Sequence, residues 1–405
     1  MKHTIFTTAL ITSLSIASLS SAQSMLSFEY PVGIPVSLSG GPSLSLGRTG
    51  VGLQNEFLAM SRNVANIGYL EASVFSTALS YDFITLNSGD NSESQSSFNP
   101  QMISFSFPLK HNLGAIGISL EQKSNFALKF NTTTPVSIYN MNYTQQLGVK
   151  RSGGLSHWQI GYAYKVKRIG SIGLSYERVY LSDKLTRYKT ITMGDIQSTQ
   201  KDSVSTRAQA NGIRGGLLVP YKNFTAGLSG EYFFIDDKKS KRIIEIQDSS
   251  FEPTKSRLKL APSVAIGASY QFNPEWFVAA DFGMTLWDEF YDGLYSTRKL
   301  DNAPSFSFGG QYIPAPNLLA PKFYEIIQYR AGFRFAQMPV KTAKEFAFDL
   351  GFGLPVQQKT SYIDINFEIG SRSDSYYKDY SETFFSIQFG LNGSRNWYQA
   401  KGTSY

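Results

Sequence analysis

The stretch Glu345-Phe-Ala-Phe-Asp-Leu-Gly-Phe-Gly-Leu354 places Phe346, Phe348, Leu350, Phe352 and Leu354 on one parity and Glu345, Ala347, Asp349, Gly351 and Gly353 on the other. Such period-2 alternation is the signature of a strand with two chemically different faces. It recurs upstream, where Trp158, Ile160, Tyr162, Tyr164 and Val166 alternate with His157, Gln159, Gly161, Ala163 and Lys165. Downstream, Ile363, Ile365, Phe367 and Ile369 alternate with Tyr362, Asp364, Asn366, Glu368 and Gly370, and Phe385, Ile387, Phe389 and Leu391 with Ser386, Gln388 and Gly390. A soluble sandwich also alternates, but its outer face carries dense Lys and Glu. Here the polar parity is Gly, Ser, Ala, Gln and isolated charges, and the segments run about 10 to 16 residues, enough to cross a bilayer as tilted strands. The aromatic parity therefore suits lipid and the small, polar parity a crowded lumen.

Reading outward from these segments gives strands at 71–83, 100–110, 112–127, 146–166, 171–185, 205–219, 223–237, 257–272, 275–288, 303–313, 323–337, 344–355, 360–371 and 381–391. The count is even, about fourteen. Short turns fall at Leu109–Asn112, Lys167–Gly170, Pro220–Lys222, Asn273–Pro274 and Val356–Lys359, with longer polar loops at Asn87–Asn99, Arg187–Ser203, Asp236–Lys255 and Asp288–Asn302. Alternating short and long connections are what outer-membrane barrels show, and Pro314–Pro321 is a longer connection on the short-turn side. The expected fold is all-β: a transmembrane antiparallel β-barrel, closed so that no edge is exposed.

Composition narrows the chemistry. The 405 residues include 14% aromatics but only 17% charged residues, below the roughly 25% of an ordinary soluble domain. The absence of Cys removes disulfides and thiolate chemistry, and His3, His111 and His157 form no ligand cluster. A net charge of +7 spread along the chain gives nucleic acid no footprint. No metal or other cofactor and no catalytic constellation is expected, so the chain is not read as an enzyme. His157 points inward by parity, as a lone satisfied residue. Met1-Lys2-His3 followed by an apolar stretch from Ile5 to Leu19 and by Ser20-Ser-Ala-Gln23 reads as a signal peptide over 1–22, cleaved after Ala22, in preference to an uncleaved anchor helix. Export to the outer membrane of a diderm bacterium follows.

Residues 23–70 differ from the barrel at 71–391, and 392–405 extend past the last strand. The 23–70 segment is rich in Gly, Ser and Leu, too apolar for a solvated tail, and a fourteen-stranded barrel has room for it inside. We read it as a hatch or plug, with Gln54–Arg62 as a short amphipathic helix and the run Gly47–Gly52 packing tightly on the wall. Parity places Glu121, Lys165, Glu177, Glu231, Asp281, Arg330, Arg334, Asp349, Asp364 and Glu368 in the lumen. Arg330 and Arg334 are expected to pair with Asp349 and Asp364, either as structural pairs or as a polar gate.

Leu46-Gly-Arg-Thr-Gly-Val-Gly52 followed by Asn63-Val-Ala-Asn-Ile-Gly-Tyr-Leu70 resembles the Gly-rich hatch and the Asn-Pro-Ala-Gly-Leu element of the FadL/TodX family of outer-membrane transporters, with Val64 in place of Pro and Asn66 in place of Gly. Ser152-Gly-Gly-Leu-Ser156, Gln328-Tyr-Arg-Ala-Gly-Phe-Arg334, Asp349–Pro355 and Phe389–Tyr398 are similar to family segments in the same order. The resemblance implies a monomeric barrel in outer-membrane lipid, gated by a hatch containing Gly47, Gly50, Gly52, Asn63, Ala65 and Asn66. It also implies a hydrophobic ligand such as an acyl chain, released sideways through the wall. The basic Lys238–Arg242 loop could draw a carboxylate to the mouth. The alternative expectation is a barrel of the same superfamily that binds protein partners in an envelope secretion or attachment complex.

Overall fold

The computed structural model describes residues 32–36, 40–58, 60, 62–88, 91–109, 113–138, 141–246, 249–292, 300–340, 342–356, 360–375 and 380–395. The expected signal peptide lies outside them. Fourteen antiparallel strands form one closed barrel. They are β1 (Ser73–Ser88), β2 (Asn91–Pro108), β3 (Ala115–Ile138), β4 (Met141–Val166), β5 (Gly170–Met193), β6 (Ile196–Tyr221) and β7 (Phe224–Phe234), followed by β8 (Ser263–Gln271), β9 (Trp276–Thr285), β10 (Ala303–Tyr312), β11 (Gln328–Gln337), β12 (Ala343–Val356), β13 (Ser361–Asp374) and β14 (Tyr380–Arg395). Closure is made by β14 against β1, from Arg395↔Ser73 to Tyr380↔Ser88.

The parity of the quoted stretch is realised on β12, where Phe346, Phe348, Leu350 and Phe352 face outward and exposed while Ala347 and Asp349 are fully buried. Among the exposed aromatics, Trp276 stacks on Tyr312 at the short-turn side, and Trp158, well up β4, packs edge-on against Tyr176 toward the other side. An apolar band between aromatic girdles is a lipid-facing surface. Among the described residues no helix is long and apolar enough to cross a membrane.

Several connections expected as loops are strand. β1 runs to Ser88 and β2 starts at Asn91, and β5 and β6 extend to Met193 and Ile196, leaving only Gly194-Asp195 between them. Asp236–Ile246 and Thr254–Lys259 continue the wall above β7 and β8, the former pairing with β6 from Arg207↔Lys241 to Asp202↔Ile246. Cross-strand bonding thus carries polar Ser/Thr/Lys sequences well beyond the apolar band, because their backbone groups pair regardless of side-chain polarity. β3 to β6 reach 24–26 residues and make one side of the barrel tall. β11 begins at Gln328, not 323, since Phe323–Glu325 is a 3-10 turn. β14 continues to Arg395, into the expected C-terminal extension, and 396–405 lie outside the described residues.

Leu350→Arg on the lipid face is expected to cost about 2–4 kcal/mol of stability in a bilayer, read by denaturant unfolding in lipid vesicles. The loss should shrink as the same substitution is moved toward either girdle.

A plugged lumen and a seam in the wall

The described residues between Val32 and Leu70 run through the barrel interior, with Leu44, Leu46, Val51, Leu58, Met60, Val64 and Ile67 almost wholly buried. The expected helix at Gln54–Arg62 is instead a single 3-10 turn, Glu56–Leu58, and a longer one spans Val64–Tyr69. Upstream of these turns the wall presses closely on the plug backbone. Gly47 (φ +63°) sits where a β-carbon would strike Phe333 O and Phe308 O, and its neighbours across the gap are Gly332 and Gly309. Gly52 meets Gly267 and Gly227 in the same way. Small residues on both sides let two backbones touch.

Polar groups exposed by this irregular backbone are satisfied by the wall. Gly50 N and Val51 N donate to Asp281 Oδ2 at 2.8 and 3.0 Å, and Ser269 Oγ donates to Gly52 O at 2.8 Å. Asn63 ties three pieces together: its Oδ1 caps the Val64–Tyr69 turn by accepting from Ala65 N (3.0 Å), while Nδ2 donates to Val51 O (2.8 Å) and to Leu217 O of β6 (3.0 Å). Asn66 closes the lower loop, donating to Asn55 O and accepting from Asn55 N at 3.1 Å.

Buried charge holds the segment from the other side. Arg48 donates to Glu368 Oε2 at 2.6 Å, and Arg334 donates to the same carboxylate at 2.9 Å while also bridging to Glu345 at 2.8 Å. Arg372 completes the chain at 2.6 Å from Glu345. Arg330 pairs with Asp364 at 2.5 Å, as expected. Arg334, however, pairs with Glu345 and Glu368, and Asp349 accepts instead from Asn366 at 3.0 Å. A second network joins Lys123, Glu177, Arg214 and Glu231, with Arg214 Nε 2.8 Å from Glu177 and Nη2 3.2 Å from Glu231. Lys165, expected in the lumen, is exposed at the rim with Nζ 5.2 Å from the Tyr69 ring centre, because β4 ends one residue beyond it. His157 is fully buried with Glu121 Oε2 3.5 Å away, and neither ring nitrogen has a hydrogen-bond partner among the described residues, unlike the satisfied residue expected.

Sequence parity missed several of these groups for identifiable reasons. Arg48 and Arg62 belong to the plug, where no strand period applies. Lys123 shares the odd parity of Glu121 and was legible by counting, whereas the bulge between Gln122 and Ser124 moves the inward face to Ser124, Phe126 and Leu128 from there on. Arg372 and Glu382 fall at strand positions just past or at the ends read from sequence. Arg214, on the inward parity of β6, was legible.

The plug separates two spaces. Toward the tall side lies a cavity of about 350 Å³ whose lining mixes Val32, Leu155, Phe233 and Trp287 with Arg48, Arg62 and Lys123. Toward the short-turn side lies a polar cavity of about 360 Å³ around Asn55, Glu56, Asn66, Tyr69 and Tyr362. Burial pushes the Glu56 carboxyl above its ordinary range, against the hydrogen bond from Ser394.

One side of the upper cavity abuts a weakness in the wall. The β2–β3 ladder runs only from Pro108↔Ala115 to Met102↔Glu121, although both strands continue beyond it. Above that point side chains bridge the gap, with Asn125 Nδ2 donating to Asn99 Oδ1 and Gln95 Nε2 to Lys129 O, each at 2.9 Å. Inside this seam Ile34–Pro35 pairs with β3 as Ile34↔Asn125 and Pro35↔Ser124, and Val36 N donates to Lys123 O at 2.8 Å.

The closed fourteen-stranded antiparallel barrel matches the FadL fold. A FadL homologue of Pseudomonas aeruginosa superposes with a TM-score of 0.63 at 12% identity, covering 90% of this chain and 100% of that one. The CymD monoaromatic hydrocarbon channel gives 0.56 at 14% identity (90% and 99%), and the toluene transporter TbuX of Ralstonia pickettii 0.55 at 16% (89% and 99%). The family described as BamG matches residues 223–402, less than half of the chain. No curated protein shows significant sequence similarity to it.

Glu368→Gln leaves Arg48 and Arg334 facing each other without their shared carboxylate. Removing one partner of a buried pair costs about 3–5 kcal/mol. The variant is expected to unfold at lower denaturant and to expose the chain around Arg48 to protease, whereas Lys165→Gln at the rim should change neither.

Proposed function

We propose that the protein is an outer-membrane channel for passive uptake of hydrophobic small molecules, long-chain fatty acids among them, with residues 32–70 as its hatch. The observation that carries this reading is the continuity of the upper cavity with the β2–β3 seam. The cavity is lined by Val32, Pro35, Val36, Lys123 and Ser124, the residues that sit where the wall ladder ends. A ligand entering from the tall side is bound there by burial, worth about 0.8 kcal/mol per CH₂. Arg62, whose Nε has no hydrogen-bond partner among the described residues, lines the same space and suits a carboxylate end. Displacing the short pairing of Val32–Val36 from β3 opens a sideways route into lipid, and no energy source is needed because the ligand moves down its own gradient. Gly47, Gly50, Gly52, Asn63, Ala65 and Asn66 act as the hinge and latch of the hatch. The lumen charges Asp281, Arg330, Arg334, Asp349, Asp364 and Glu368 hold its far side in place. The structural likeness to named hydrocarbon channels supports the transport class.

A second reading is favoured by the match to BamG and by the number of buried ionic and hydrogen-bond ties on the hatch: a barrel that serves as a protein-binding component of an envelope complex. The two readings differ in whether the seam must open. With no native Cys, Asn99→Cys/Asn125→Cys offers a clean disulfide across it. Under transport, the oxidised variant in proteoliposomes loses uptake of a fluorescent fatty acid and regains it on reduction. Uptake that is absent in the wild-type barrel, with a protein co-purifying from the native membrane, would replace transport by the second reading.

A further inference from the structure

The tall side of the wall carries a charge pattern that neither reading uses. Above the girdle formed by Trp158, Tyr176, Tyr180 and Tyr232, six consecutive strand segments each present an exposed cation on the outward face. They are Lys129 on β3, Lys150 on β4, Lys184 on β5, Arg207 on β6, Lys241 in Asp236–Ile246 and Lys255 in Thr254–Lys259. Their face follows from register, since directly opposed residues share a face and Ala208 and Ala210 beside Arg207 are buried in the lumen cluster.

Three of the contacts set like charges directly opposite each other: Lys129↔Lys150, Arg207↔Lys241 and Lys241↔Lys255. Like charges so placed destabilise a sheet. Among the described residues none of the six has an ion-pair partner, and the carboxylate that shares their face, Glu245, is already bonded by Ser203 Oγ at 2.8 Å. The six also keep one height. Lys150 is opposite Thr186, so Lys184 sits two residues lower, and Lys184 is opposite Ser205, so Arg207 sits two lower again. That descent compensates the incline of the register rows: the row through Ala115 at the end of β3 reaches Gly216, well inside the β6 terminus Tyr221. A level arc of unpaired cations therefore stands just beyond the lipid-facing band and is continuous with it.

We propose that this arc binds the anionic sugar headgroups, phosphate and carboxylate, of the outer-leaflet glycolipid, which supply the counter-charge the sheet lacks. The proposal depends on the membrane-barrel reading and not on uptake.

The test uses the full-length barrel in detergent, its thermal midpoint followed as purified lipopolysaccharide is added, with phosphatidylcholine as the neutral comparison. Lipopolysaccharide raises the wild-type midpoint, and added salt erases the effect. Lys150→Glu/Lys241→Glu turns the opposed like pairs into opposite ones. The bare variant is therefore expected to melt no lower than wild type, while its apparent affinity for lipopolysaccharide falls about tenfold or more. If the double reversal does not insert, Lys150→Gln/Lys241→Gln gives the same direction with a smaller loss. Unchanged lipopolysaccharide affinity in these variants would overturn the proposal. So would equal stabilisation by heparin at matched charge, which would assign the arc to a soluble acidic partner. Lys150→Glu alone, which spares the Lys238–Arg242 stretch, should lower lipopolysaccharide affinity in the same direction and preserve fatty-acid uptake, so failure of the arc and failure of the transport reading are separable.

Discussion

Every backbone N–H and C=O that enters hydrocarbon must find a partner within the protein, because no water is there to replace it. In this chain the condition is met by the pairing of β14 with β1, which removes the last free edge. Once the sheet is closed at fourteen strands, its interior exceeds what its own side chains fill. The lumen then needs an occupant, and the N-terminal segment is the one the chain supplies.

The occupant is held by two opposed kinds of contact. Glycine faces glycine where Gly47 meets Gly332 and Gly52 meets Gly267, so the backbones touch. The amides freed by that irregular path are taken up by Asp281, and charge on the segment is taken up by Glu368. Desolvated groups of this kind are costly to leave unpaired, so each tie resists partial withdrawal of the plug. The exception is at the seam, where Val32–Val36 is held by a short backbone pairing and the wall ladder is interrupted. Ser124 Oγ also donates to Val32 O there, and the upper cavity lies against this same corner.

The outer surface obeys the same accounting of partners. In the apolar band side chains such as Phe346, Phe348, Leu350 and Phe352 face lipid. Above it, backbone pairing carries polar strands into the headgroup region, and cations appear there without acids opposite them.

Much of this was legible from Glu345–Leu354 and its counterparts, because a two-residue period is a local property: it fixes which side chains share a face whatever the rest of the chain does. Strand number, closure class and the inward placement of Asp281, Arg330, Asp364 and Glu368 follow from it. Polar strand extensions such as Asp236–Ile246 carry no such contrast, so their pairing was decided only by the neighbours that β6 and Thr254–Lys259 provide. The bulge beside Lys123 reversed a parity that counting alone would have continued. Which carboxylate each arginine finds was likewise settled in three dimensions. Arg334 takes Glu368 and Glu345 rather than Asp349, since barrel register and the insertion of Arg48 determine which groups lie within reach, and neither distance is encoded in the spacing of residues along one strand.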